Sequence, residues 1–159
     1  MTAEGDAARP GGFAAATGDG PPSALAPDVR AAEVRVAFGG LVQIRRLTNT
    51  TATDPAAVPA AWERNQPVRA VALALEAAAI APSALDGEGR RTATGFRVAE
   101  GERPGTVRVE WLGPHGSGAA QDEERRLTGC AAALTPLGWE ALLYRGPRRR
   151  RFLEVEPAP

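Results

Sequence analysis

From Glu33 onward, apolar residues begin to recur at regular spacing. Val34, Val36 and Phe38 alternate with Arg35 and Ala37, the period of a half-buried strand. Gly39-Gly40 follows, then Leu41-Val42-Gln43-Ile44. A two-residue turn at the glycines would set Val36 against Gln43 and Val34 against Arg45, polar opposite apolar. A three-residue loop sets Phe38 against Val42 and Val36 against Ile44, which keeps the faces consistent. The pattern predicts a strand here, folded back as that hairpin or running on, bent, through the glycines.

Residues 48–66 show no period. Asp54-Pro55 opens a turn that Pro59 interrupts, leaving a loop with one helical turn around Ala60 to Arg64 and Trp62 packed onto the domain. Pro67 then starts a helix expected to reach Ile80. Val68, Val71, Ala72, Leu75 and Ala79 fall on one of its faces, and Pro82 lies beyond its end. After the turn-rich segment 83–91, Phe96 and Val98 alternate on one strand and Val107, Val109 and Trp111 on another. The segment Glu-Gly-Glu-Arg-Pro-Gly joins them as a hairpin. Arg97, Arg108 and Glu110 give that hairpin a wet face.

A second helix follows the loop 113–118, with Ser117 as its N-cap and Asp122, Glu123 and Glu124 near its positive end. Ala120, Leu127, Cys130, Ala131 and Leu134 form its expected buried stripe. Pro136 and Gly138 stop it, and a last hairpin runs from Trp139 to Pro157. The predicted order is strand, helix, strand, strand, helix, strand, strand. It describes an α+β domain with two helices on one face of a mainly antiparallel sheet. The matching arrangement is the split β-α-β, ferredoxin-like one with an extra C-terminal strand. Because the strands Val-Arg-Val-Glu-Trp and Phe-Leu-Glu-Val-Glu resemble each other, a duplicated α-β-β unit is the alternative.

Residues 1–30 are dominated by Gly, Pro, Ala and small polar residues, with only Phe13, Leu25 and Val29 to anchor them. Such a stretch buries too little apolar surface to offset its ordering entropy. It is expected to be a disordered tail, with a docking peptide as the alternative, and residues 31–157 a single domain.

Composition adds a source and a caution about arginine. All 19 Lys+Arg positions are arginine, while isoleucine and asparagine occur twice each, a bias that points to a bacterial genome of high GC content. Arginine is then cheap in codon terms, and a cluster of it means less than usual. Formal net charge is zero, so no whole-molecule field draws nucleic acid or membrane. One cysteine excludes an intramolecular disulfide, and no stretch has the composition of a signal peptide or membrane span. A cytoplasmic protein is expected.

Catalytic and metal constellations are missing from the pattern. His115 and Cys130 are the only imidazole and thiol, too few for a structural zinc site, and no cofactor is expected. Ser117 stands two residues from His115, a local turn spacing rather than a relay. Asp122, Glu123 and Glu124 are consecutive on a helix and point around it. The loop containing Gly116, Ser117 and Gly118 could hold an anion at a helix N-terminus, but lacks the Walker lysine and the full dinucleotide glycine pattern. A small transferase using this loop is one function class.

The densest feature is Arg145-Gly-Pro-Arg148-Arg149-Arg150-Arg151, between Tyr144 and Phe152 at a hairpin tip. Guanidinium suits phosphate bidentately, and the aromatic residues offer stacking surface for single strands. Pairing of these arginines with Glu140, Glu154 or Glu156 across the hairpin is the competing arrangement. These residues point to a small non-enzymatic binding or regulatory protein whose contacts are Tyr144, Arg145 and Arg148 to Arg151, with nucleic acid as ligand. A protein-interaction module, with a protein partner or a homodimer, is the other class.

Overall fold

A computed structural model describes residues 13–159. Four α-helices and two antiparallel sheets make an α+β fold among them. The helices are α1 (Pro27–Thr48), α2 (Ala61–Asn65), α3 (Pro67–Ala77) and α4 (Ala119–Leu134). The strands are β1 (Ala84–Leu85), β2 (Arg91–Ala93), β3 (Gly95–Glu100), β4 (Val107–Leu112), β5 (Trp139–Arg145) and β6 (Arg151–Pro157). β1 pairs with β2, and the main sheet has the order β3-β4-β6-β5 with every pairing antiparallel.

The strand expected at Val34–Phe38 is a correction. It lies inside the 22-residue helix α1, and the ferredoxin-like order loses its first strand. Two α-β-β runs remain, α3-β3-β4 and α4-β5-β6, their last strands paired at the sheet centre. The alternation over five residues was misleading because Val34 and Val36 face opposite ways. Val34, Leu41 and Arg45 are buried, at helical steps of seven and four, whereas Val36 is exposed. Pro27 and Asp28 favour a helix start there, and the tandem glycines cost a long helix only about 1 kcal/mol each relative to alanine.

The core lies between α3, α4 and the main sheet. Phe96, Val98, Val107, Val109, Trp111, Leu153 and Val155 alternate inward and meet Val71 and Leu75 of α3 and Leu127, Cys130 and Leu134 of α4. Trp139 caps this layer. α1 packs on the outer side of α3, where Val34, Leu41 and Leu73 form a smaller cluster. α3 is thus buried on two sides, which is why Ala70, Leu73 and Ala74 are buried beside the expected stripe. It ends at Ala77, short of Ile80: Ala79 turns left-handed at φ 66° and closes the last turn, and is not a core residue.

The N-terminal segment is the second correction. Residues 1–12 of the expected tail lie outside the described residues, but residues 13–26 lie along the domain. Thr17 O accepts a hydrogen bond from Val98 N at 2.8 Å, and Gly20 O accepts one from Leu85 N at 2.9 Å. Asp19 pairs with Arg91 and Arg97, both at 2.8 Å, and Arg91 also donates to Gly18 O. Arg69 donates to Phe13 O at 3.0 Å, and the Arg30 guanidinium sits 4.5 Å from the Phe13 ring centroid. Hydrophobic burial is scarce here, as composition implied. Backbone pairing and arginines supplied by the domain hold the segment in its place, and neither is visible in the segment's own residues.

The sheet edges differ. Residues 17 and 81–83 bond to the backbone of Phe96 and Val98 and so cover β3. On β5, Gly138 and Gly146 bond toward β6, so Trp139, Ala141, Leu143 and Arg145 turn their N–H and C=O groups outward.

Candidate nucleic-acid interface

The arginine-rich tip joins β5 to β6. Arg145 pairs with Arg151 in register, Pro147–Arg149 forms a 3-10 turn, and Gly146 N donates to Arg150 O. Arg148 and Arg149 both adopt left-handed conformations, at φ 59° and 63°. Side chains rarely accept that backbone, and two in succession cost of order 1–3 kcal/mol each. The turn therefore places both guanidinium groups outward at an energetic cost.

The five arginines divide into two groups. Arg150 and Arg151 turn back to α4: Arg150 Nε lies 3.3 Å from Glu123 Oε2, and Arg151 donates its backbone N–H to Glu123 Oε1 at 2.8 Å. Arg151 also reaches Glu124 at 3.4 Å. Arg145, Arg148 and Arg149 have no acidic partner within salt-bridge distance among the described residues, and all three are exposed. The cross-hairpin pairing with Glu154 and Glu156 does not form, because Arg103 takes both carboxylates, at 3.2 and 3.4 Å.

Beside this tip, the helix-free face of the sheet carries a stack. The Tyr144 and Phe152 rings lie 5.8 Å apart at 26°, and the Arg108 guanidinium sits over Phe152 at 3.8 Å. Tyr144, in the predicted set, and Phe152 are cross-strand partners, so the register of β5 with β6 brings them together. Arg108 joins through the pairing of β4 with β6 and could not be placed there without the strand order. Arg45 does not join this surface; it is buried against Glu63.

The predicted anion loop has a different character. Gly116 and Gly118 are left-handed at φ 81° and 82°, and Gly118 is the N-cap of α4 in place of the expected Ser117. Ser117 Oγ accepts from Ala119 N at 3.3 Å. A cavity of about 430 Å³ adjoins the loop, but Glu123 and Arg150 line it. Glu123 is buried on the inner face of α4, where Ala120 was expected, and Ala120 is exposed. The protein's own carboxylate thus stands near the helix start, which opposes a second anion. No group of three or more His, Cys, Asp or Glu residues is placed to hold a metal among the described residues.

Fold and surface together define a class: an α+β domain of paired α-β-β units with a basic, aromatic-flanked hairpin. None of the family models, curated proteins or solved structures compared with the chain matches it. Among the described residues no helix is long and apolar enough to cross a membrane.

Proposed function

We propose that the protein is a non-catalytic binding module that contacts single-stranded nucleic acid at the end of its β5–β6 hairpin. The observation that carries this reading is one hairpin that bears the Tyr144–Phe152–Arg108 stack on its helix-free face and Arg148 and Arg149, without acidic partners among the described residues, in the turn at its end. Exposed guanidinium groups neutralise phosphates, and an exposed aromatic ring on a sheet surface accepts an unpaired base. A duplex hides its base faces and cannot use the stack, so single strands are preferred. Glu123 and Glu124 remove Arg150 and Arg151 from the contact set, and Arg145 stands on the α4 face of the sheet, which leaves Tyr144, Arg148 and Arg149 at its centre. Nothing in this set reads base edges, so sequence preference is weak.

Fluorescence anisotropy with short single-stranded and duplex probes tests the reading. Binding is expected in the micromolar range and to weaken steeply between about 50 and 200 mM salt. Removing Arg148 and Arg149 together should lower the single-strand salt slope by about 1.4, or about 0.7 per phosphate contact. Tyr144→Ala should weaken single-strand binding while leaving the slope unchanged. Absence of binding at low salt, or binding indifferent to these variants, would dismiss the proposal.

A further inference from the structure

α1 has two apolar faces, and only one is covered by the described residues. Val34 and Leu41 are buried against α3. On the other side, Val29, Val36, Gly40 and Leu47 follow one another at steps of seven, four and seven residues, which aligns them along the helix. Val36 is 77% exposed and Leu47 67%, and Ile44 stands exposed beside them. A groove of about 850 Å³ runs beside Val29, Val36, Gly40 and Ile44, closed on the domain side by Phe13, Trp62 and Leu73.

Gly40 sits at the middle of the line. A Cβ built there meets nothing within 4 Å, so no contact among the described residues calls for glycine. Glycine in mid-helix weakens the helix, and on an exposed apolar line it also leaves room for close approach from outside. We infer that this face binds a second copy of the chain, α1 against α1 in antiparallel orientation about a two-fold axis between Val36 and Gly40.

The line is complementary to itself in that orientation. Val36 of each copy lies over Gly40 of the other, a large residue on a small one. Val29 meets Leu47, and Glu33 meets Gln43. Charge agrees at the ends of α1: the exposed Asp28 lies in its first turn and the exposed Arg46 in its last, while Glu33 and Arg35 between them offset each other. Antiparallel packing brings each Asp28 end to the other copy's Arg46 end and opposes the helix dipoles. Parallel packing would place like charges together. The interface is isologous, so it closes at a dimer.

Sedimentation velocity on the full chain, from about 1 to 100 μM, should show a reversible, concentration-dependent dimer. Val36→Glu should give a monomer with an unchanged melting temperature at low protein concentration. Gly40→Leu separates association from folding: it should raise the monomer's melting temperature yet weaken dimerisation at least tenfold. An equimolar mixture of Val36→Cys and Gly40→Cys chains should oxidise to the mixed disulfide rather than to like pairs. A monomer throughout the range would overturn the inference. So would a dimer untouched by Val36→Glu but broken by Leu142→Glu at the open β5 edge, or disulfides mainly between like chains.

Discussion

Arg45 and Glu63 form an ion pair shut away from solvent, at 1% and 0% exposure. The contact is bidentate, with Nε and a terminal nitrogen at 2.8 and 2.7 Å from the two carboxylate oxygens. The other terminal nitrogen donates to Ala56 O and Leu137 O, both at 2.8 Å, and Glu63 also accepts from Ala60 N at 3.0 Å. One guanidinium thus ties α1 to α2, to the 55–57 turn and to the end of α4. Removing one partner strands the other charge in the interior. Glu63→Gln or Arg45→Met is expected to cost about 3–5 kcal/mol in urea unfolding. The double variant Arg45→Met with Glu63→Leu should recover part of that loss, limited by the carbonyls left without donors.

Asp19 makes the N-terminal segment's attachment depend on pH. Burial acts to raise its carboxyl, but hydrogen bonds from Arg91 and Arg97 and their charges outweigh this and hold it below the ordinary 3.8. A depressed folded value means that the stabilisation is present above the ordinary value and is lost as pH falls through the lower one. The segment should therefore stay protected from proteolysis at neutral pH and release below about pH 4. Asp19→Asn should release it at neutral pH. Equal protection of the Asp19→Asn variant and the wild type would show that the backbone bonds at Thr17 and Gly20 suffice.

The second helix, both hairpins and the inward faces of Val107, Val109, Trp111 and Leu127 were legible because a long period or strict alternation fixed them. α1 was misread because the window was too short. Five alternating residues next to Gly-Gly imitate a strand, while the period across residues 27–48 is helical. The tip arginines were legible, but their division was not. Glu123 reaches Arg150 and Arg151 across the fold, and nothing in the order of residues brings α4 to that hairpin. The burial of Arg45 was not legible because its partner Glu63 lies in a loop-like stretch without a pattern.

Cys130 is buried against the sheet, and burial pushes its thiol up to about 12, opposed only in part by Arg126. The thiolate is the reacting species, so its population at pH 8 is negligible in the folded chain. A thiol reagent such as Ellman's should label the protein only at the rate of opening, and fully in denaturant. The neighbouring core position gives the matching stability test. Leu127→Ala should cost about 2–4 kcal/mol, and Arg108→Ala, on the helix-free face, much less.

Gly138 closes the turn between α4 and β5 at φ +86°, and its position is crowded as well as left-handed. A Cβ there would stand 2.2 Å from Ala57 O and 2.8 Å from Pro59 Cδ. The close approach lets the 55–59 loop lie against the α4–β5 turn, where Arg45 bridges Ala56 O and Leu137 O. Gly138→Ala must therefore strain its own backbone and separate the two carbonyls that share one guanidinium. The backbone alone costs about 1–3 kcal/mol, and weakened Arg45 bonds add to it. Gly129, exposed in mid-α4 with nothing within 4 Å of a built Cβ, is the control. Gly129→Ala should stabilise the chain by about 0.5–1 kcal/mol through helix propensity and the unfolded state. Urea melts that moved in the same direction for both variants would mean that Gly138 is not holding these two loops together.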